Sequence, residues 1–112
     1  MANDFKNEIA KDIAIDTGAF TTLYTTPAAM ATVLLELDIA NTHATDDITV
    51  SVTLTSGGTE VYLVKKAPVP VGGALKAVSG QKIVLEAAEV LKVAASVASS
   101  ADVICSLLED VN

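Results

Sequence analysis

Along residues 31–41, ATVLLELDIAN, apolar and polar positions alternate. Val33, Leu35, Leu37 and Ile39 fall on one face and Glu36 and Asp38 on the other, with Leu34 breaking the polar side. A strand has this two-residue side-chain period, so the pattern predicts a half-buried β-strand. The polar cluster NTHATDD then supplies turn chemistry. Residues 47–55, DITVSVTLT, alternate more cleanly: Val50, Val52 and Leu54 against Thr49, Ser51, Thr53 and Thr55. β-branched side chains suit a pleated surface better than a helix. Gly57 and Gly58 form a turn before EVYLV, residues 60–64, resumes the alternation. Two patterned runs around Gly-Gly predict a hairpin.

Flanking segments are less regular. AFTTLYTT (19–26), ended by Pro27, and DVICSLLE (102–109) predict further strands, and DIAID (12–16) a short one. KKAPVPVGG (65–73) cannot be a central strand, because Pro68 and Pro70 lack a donor N–H. It predicts an extended connection to another edge or to a second sheet. Strands separated by short turns favour a sandwich or barrel.

The stretch from 72 to 93, GGALKAVSGQKIVLEAAEVLKV, is ambiguous. A phosphate-binding loop fails on spacing: six residues separate Gly73 from Gly80, Gln81 precedes Lys82, and Ile83 stands where a hydroxyl is needed. Ile83, Ala87, Val90, Ala94 and Val97 follow helical spacing, in a run rich in good helix formers. The same residues also fit a hairpin, QKIVLE against VLKVAAS, with a turn at Glu86-Ala87-Ala88-Glu89. In that reading Ile83, Leu85, Leu91 and Val93 face inward and Lys82 and Lys92 outward. Local pattern leaves helix and hairpin open.

Composition narrows the function. At 112 residues the chain suits one domain. Aromatics are 4% of it, with no Trp, so the core must be aliphatic and ring-stacking ligand sites start at a disadvantage. The net charge of −7, with no Arg, disfavours nucleic acid as a partner. The N-terminal MANDFKNEIAKDIAID resembles neither a secretory signal nor an anchor, and no run approaches the roughly 20 apolar residues that span a bilayer, so no membrane role is expected.

Candidate chemistry is sparse. Cys105, the single cysteine, fits a buried small hydrophobe. His43, with Asp46 and Asp47 nearby, lacks a metal-ligand spacing and fits a turn. Glu86 and Glu89 flank the predicted turn, and Ser99-Ser100 lies in no nucleophile elbow. No catalytic, cofactor-binding or metal-binding residues are assigned, and the chain is expected not to be an enzyme. Four residues are candidate assembly contacts: Phe5 and Ile9, and Lys65 and Lys66. Phe5 and Ile9 lie four apart, as on one side of a short helix or along an extended arm, and residues 1–11 are expected to form such an arm ahead of a domain over 12–112. The two lysines fit either a contact for an acidic partner or a solvated edge blocked against further pairing.

Taken in order, LYTTPA, a strand ending IAN, ITVSVTL, YLVKKAPVPVGGAL, SGQKIVLEAAEVLKVAAS and ADVICSLLE resemble a family of small virion structural proteins of tailed bacteriophages, especially those of marine cyanobacteria. The resemblance spans about residue 20 to 109 and is most specific in YLVKKAPVPVGGALKAVSGQKIVLE. Relatives carry Gly-Asp where Ala88 and Glu89 stand here. The resemblance implies strands rather than a helix over 81–95. It further implies an all-β fold, an antiparallel β-sandwich of jelly-roll type with a short N-terminal arm or helix. The implied role is a homo-oligomeric virion part, foremost a capsid decoration (cement) subunit, alternatively a neck or tail component, made in the host cytoplasm. Its partners would be its own copies and major capsid or tail proteins. It supplies no catalytic or cofactor residues. A host-surface glycan-binding module is a competing expectation.

Overall fold

A computed structural model describes residues 3–110; Met1 and Ala2 of the expected arm, and Val111 and Asn112, lie outside the described residues. Eight strands follow in order: β1 (Asn3–Ala10), β2 (Thr21–Thr25), β3 (Ala31–Asn41), β4 (Ile48–Ser56), β5 (Thr59–Val69), β6 (Ala74–Leu85), β7 (Val90–Ala95) and β8 (Ala101–Asp110). They form two four-stranded sheets, sheet I in the order β1-β8-β3-β6 and sheet II in the order β2-β7-β4-β5. All pairings between these strands are antiparallel. This is the double-sheet strand order of a jelly roll. Between the sheets lies an aliphatic core that includes Leu34, Leu37, Ile39, Val50, Val52, Val78, Leu85, Leu91, Val93 and Leu107, with Cys105 among them.

Several expectations are corrected. The N-terminal arm or short helix is an edge strand instead: residues 3–10 pair with β8 along their whole length. Phe5, Asn7 and Ile9 therefore project to one side of the strand and Asp4, Lys6 and Glu8 to the other.

The hairpin expected from QKIVLE and VLKVAAS is not one. Both segments are extended, and the turn falls at Glu86–Glu89, where the Glu89 N–H donates to the Glu86 carbonyl. But β6 pairs with β3 in sheet I, while β7 lies between β2 and β4 in sheet II. The turn therefore carries the chain from one sheet to the other. Leu85 and Leu91 are buried on its two sides because each faces the interlayer space.

The core face of β3 also changes within the strand. Leu34 is fully buried, whereas Val33 and Leu35 are only half-buried. Leu35 sits in a bulge, an extra residue between the pairs Leu34↔Leu107 and Glu36↔Ser106. One inserted residue reverses the side-chain alternation. Thus Thr32 and Leu34 point inward before the bulge, and Leu37 and Ile39 after it.

KKAPV, expected as a connection, completes β5, which is the outer edge of sheet II. An edge position leaves Pro68 without a ladder bond to lose. DIAID makes only a parallel bridge, Ile15↔Ala95.

The two outer faces differ in kind. On sheet II, Asp16 reaches Lys66 at 3.6 Å and the Phe20 ring meets Tyr62 edge-on at 6.5 Å. Segment 16–20 thus reaches across the sheet to β5, and Ala94, Ser51 and Thr53 of this sheet are buried. Among the described residues, no segment of the chain crosses sheet I in this way.

Candidate assembly surface

Sheet register places four apolar side chains in a row across the outer face of sheet I. Phe5 on β1 is opposite Leu108 on β8, Leu108 is opposite Val33 on β3, and Val33 is opposite Val84 on β6. Phe5 is 74% exposed and Val84 60%, while Leu108 and Val33 are half-buried by their neighbours. Two residues along, the row Asn7, Ser106, Glu36 and Ser79 is polar. Two residues further, Ile9 and Ile104 form a second apolar pair, 72% and 44% exposed. Shallow hollows of about 320 and 340 Å³ flank these groups. One is lined by Phe5, Asn7, Leu35 and Ser106, the other by Ile9, Lys11, Asp102 and Ile104. Contiguous exposed apolar side chains on a folded domain mark a contact surface.

The inner side of β1 is charged. Lys6 Nζ lies 3.4 Å from Glu8 and 3.7 Å from Glu109. Burial works against the Lys6 charge, but Glu109 and Glu8 outweigh it and raise its pKa. Behind Lys6, the Tyr24 hydroxyl donates to the Glu109 carboxylate and lies 2.9 Å from the Thr32 hydroxyl. Tyr24 belongs to sheet II and the other two residues to sheet I, so this cluster joins the layers beneath β1. Burial, reinforced by the bond to Glu109, pushes the Tyr24 hydroxyl up to about 12. Lys6 also sits 6.0 Å from the Tyr24 ring centre. Its role here is to close the side of the sandwich where β1 and β2 meet.

The four candidate contacts do not converge. Phe5 and Ile9 share the outer face of β1. Lys65 and Lys66 lie on β5, at the opposite edge of the other sheet, and are held there. Lys65 stacks its ammonium 5.1 Å from the Tyr62 ring centre, and Lys66 pairs with Asp16. Both stand opposite Ser51 in a bulge, where the Lys66 N–H donates to the Ser51 hydroxyl. Val33, Leu108, Val84 and Ile104 join Phe5 and Ile9 on this face although no local pattern marks them as contacts. For three of them the signal of an outward apolar side chain was a run of adjacent apolar residues, Val33-Leu34-Leu35, Ile83-Val84-Leu85 and Leu107-Leu108, which cannot all be buried on one face.

Apart from Cys105, which is buried in β8, the candidate residues for chemistry are tied into turns and loops. His43 Nδ1 accepts from the Thr45 and Asp46 N–H groups at 3.2 and 3.0 Å. Asn41 bonds the carbonyls of Asp46 and Val69, and Asp47 accepts from the Val71 N–H. The Glu89 carboxylate accepts from the Glu86 N–H and the Ser56 hydroxyl, which lower its pKa. The Ser100 hydroxyl donates to the Val97 carbonyl. Burial pushes the Cys105 thiol up to about 11, where it is a poor nucleophile at neutral pH. Among the described residues, no three His, Cys, Asp or Glu side chains cluster as metal ligands would. No family model, curated protein or solved structure matches this chain.

Proposed function

We propose that this chain is a non-enzymatic structural subunit of a tailed-bacteriophage particle, acting through surface contacts. The observation that carries the reading is the uncovered apolar row Phe5–Leu108–Val33–Val84 on sheet I, beside a sheet II whose outer face segment 16–20 partly covers. A soluble acidic domain with one open face is suited to being added to a larger assembly. The jelly roll recurs in viral capsid domains, which supports the reading as a fold-level analogy. So does the resemblance carried by YLVKKAPVPVGGALKAVSGQKIVLE. Within this class the first station is the outside of the head, as a decoration subunit, and the second is the neck or tail. The partners are further copies of the chain and major capsid or tail proteins.

Glycan binding has less support. Tyr24 is buried and Phe20 and Tyr62 pack on each other, so only Phe5 offers a free ring.

The test is fractionation of particles of the phage that encodes the chain. The protein should band with intact particles in a density gradient and stay with either heads or tails after these are separated. Its absence from both fractions would overturn the assignment.

A further inference from the structure

The outer rim of β1 has what an edge needs in order to accept another strand. Sheets I and II expose four edges: β1, β6, β2 and β5. The last three each lose register with their neighbour at a bulge, and β5 also contains Pro68. Bulges and prolines are devices that stop further strand pairing. β1 has neither: its register with β8 is unbroken from Asn3↔Asp110 to Ala10↔Val103. Among the described residues, its other side pairs with no strand.

We propose that β1 pairs antiparallel with β1 of a second copy of this chain, about a two-fold axis beside Asn7. Symmetry and charge together select that register. A two-fold joining two identical edges in antiparallel fashion runs perpendicular to the sheet, and directly opposed residues project to the same side. One residue must therefore face its own copy. If Lys6 did so, Lys6 would oppose Lys6, and Asp4 would oppose Glu8. If Glu8 did so, two glutamates would meet. Like charges directly opposite are destabilising. Centring on Phe5 avoids that clash but reaches only residues 3–7 and leaves Ile9 outside. Centring on Ile9 pairs only the last residues of the strand.

Centring on Asn7 places each Lys6 against Glu8 of the other copy and each Phe5 against Ile9 of the other copy. A neutral Asn7 meets itself. The charges on β1 then choose a register rather than forbid pairing. On the outer face, Val84, Val33, Leu108 and Phe5 of one copy continue into Ile9 and Ile104 of the other, joining two short apolar patches into one band. The hollow beside Ile9 and Ile104 lies next to the incoming Phe5. This pairing rests on reading the outer face of sheet I as a contact surface but not on the particle assignment. A chain absent from particles can still dimerise, and a monomeric chain can still be a particle component.

Charge reversal on the whole chain tests the register. Sedimentation equilibrium of the unaltered protein should show a dimer. Lys6→Glu alone and Glu8→Lys alone should each weaken self-association about ten-fold, because each sets two like-charged pairs in opposition. An equimolar mixture of the two variants should dimerise again, since each supplies the charge that the other needs. A monomeric unaltered protein, or a mixture no better than its components, would overturn the proposal. Lys6→Glu also sets a new acid beside Glu109, so circular dichroism checks that both variants are folded. Asn7→Cys gives an independent reading: on oxidation it should form a covalent dimer, whereas Phe5→Cys should not. No cross-linking at residue 7, or equal cross-linking at residue 5, would contradict the register.

Discussion

Ala88 holds a φ of +67° in the turn between β6 and β7. A left-handed backbone costs a residue with a Cβ roughly 1–2 kcal/mol, partly offset by the greater freedom that glycine would have in the unfolded chain. Ala88→Gly should therefore raise stability by about 0.5–1 kcal/mol in urea unfolding. A neutral or destabilising result would contradict the strain assigned to this turn. The turn is held without glycine because the Glu89 carboxylate ties Glu86 and Ser56 to it. Burial raises the Tyr24 hydroxyl from 10.0 to about 12 and the Cys105 thiol from 9.0 to about 11. Both groups hold their protons longer in the folded state, so the unfolded chain releases them first as pH rises. This contribution to stability is complete below pH 9 and is lost between pH 9 and 12. The urea midpoint should fall across that window. Tyr24→Phe should cost about 1–3 kcal/mol at neutral pH, since Glu109 and Thr32 lose a buried partner, and should flatten the upper part of the decline. A midpoint constant up to pH 12 would contradict the placement of these groups.

At the scale of elements, the cleanly alternating strands β3 and β4 are written plainly in the sequence, whereas β1, β6 and β7 fit a helix as well, and no strand's partner is legible. The alternation in ATVLLELDIAN locates β3 to the residue, and Gly57-Gly58 locates the β4–β5 turn. The bulge at Leu35 is hidden, because nothing in a period of two announces an inserted residue. Substitution separates the two readings of β3. Leu34→Ala removes a fully buried side chain and should cost about 2–5 kcal/mol, whereas Leu35→Ala, in the bulge, should cost less than about 1 kcal/mol. A larger loss at Leu35 than at Leu34 would restore the unbroken alternation. The turn after β6 shows a different limit. A chain reversal between two strands looks alike in sequence whether it closes a hairpin or crosses between sheets; β3 and β4 decide which, and they lie far away in the chain. For β1, the four-residue spacing of Phe5 and Ile9 fixes a shared side in either a helix or a strand. The surface was therefore legible before the element that carries it.

In the whole molecule, strand order places the candidate surface. The jelly-roll order sets β1 at one edge of sheet I and β5 at the far edge of sheet II, which separates Phe5 and Ile9 from Lys65 and Lys66. It also aligns four strands so that scattered apolar residues become one row. No local pattern carries that information, since the row draws on residues 5, 33, 84 and 108. The bulges of β2, β5 and β6 and the regularity of β1 then leave one rim open to another strand. Amide hydrogen exchange measured over a range of protein concentration tests this most directly. Exchange along residues 4–10 should slow as concentration rises, while the other edge strands, β2, β5 and β6, keep a constant rate. Exchange along β1 that ignores concentration, or slowing that falls on β5 or β6 instead, would show that the open rim lies elsewhere.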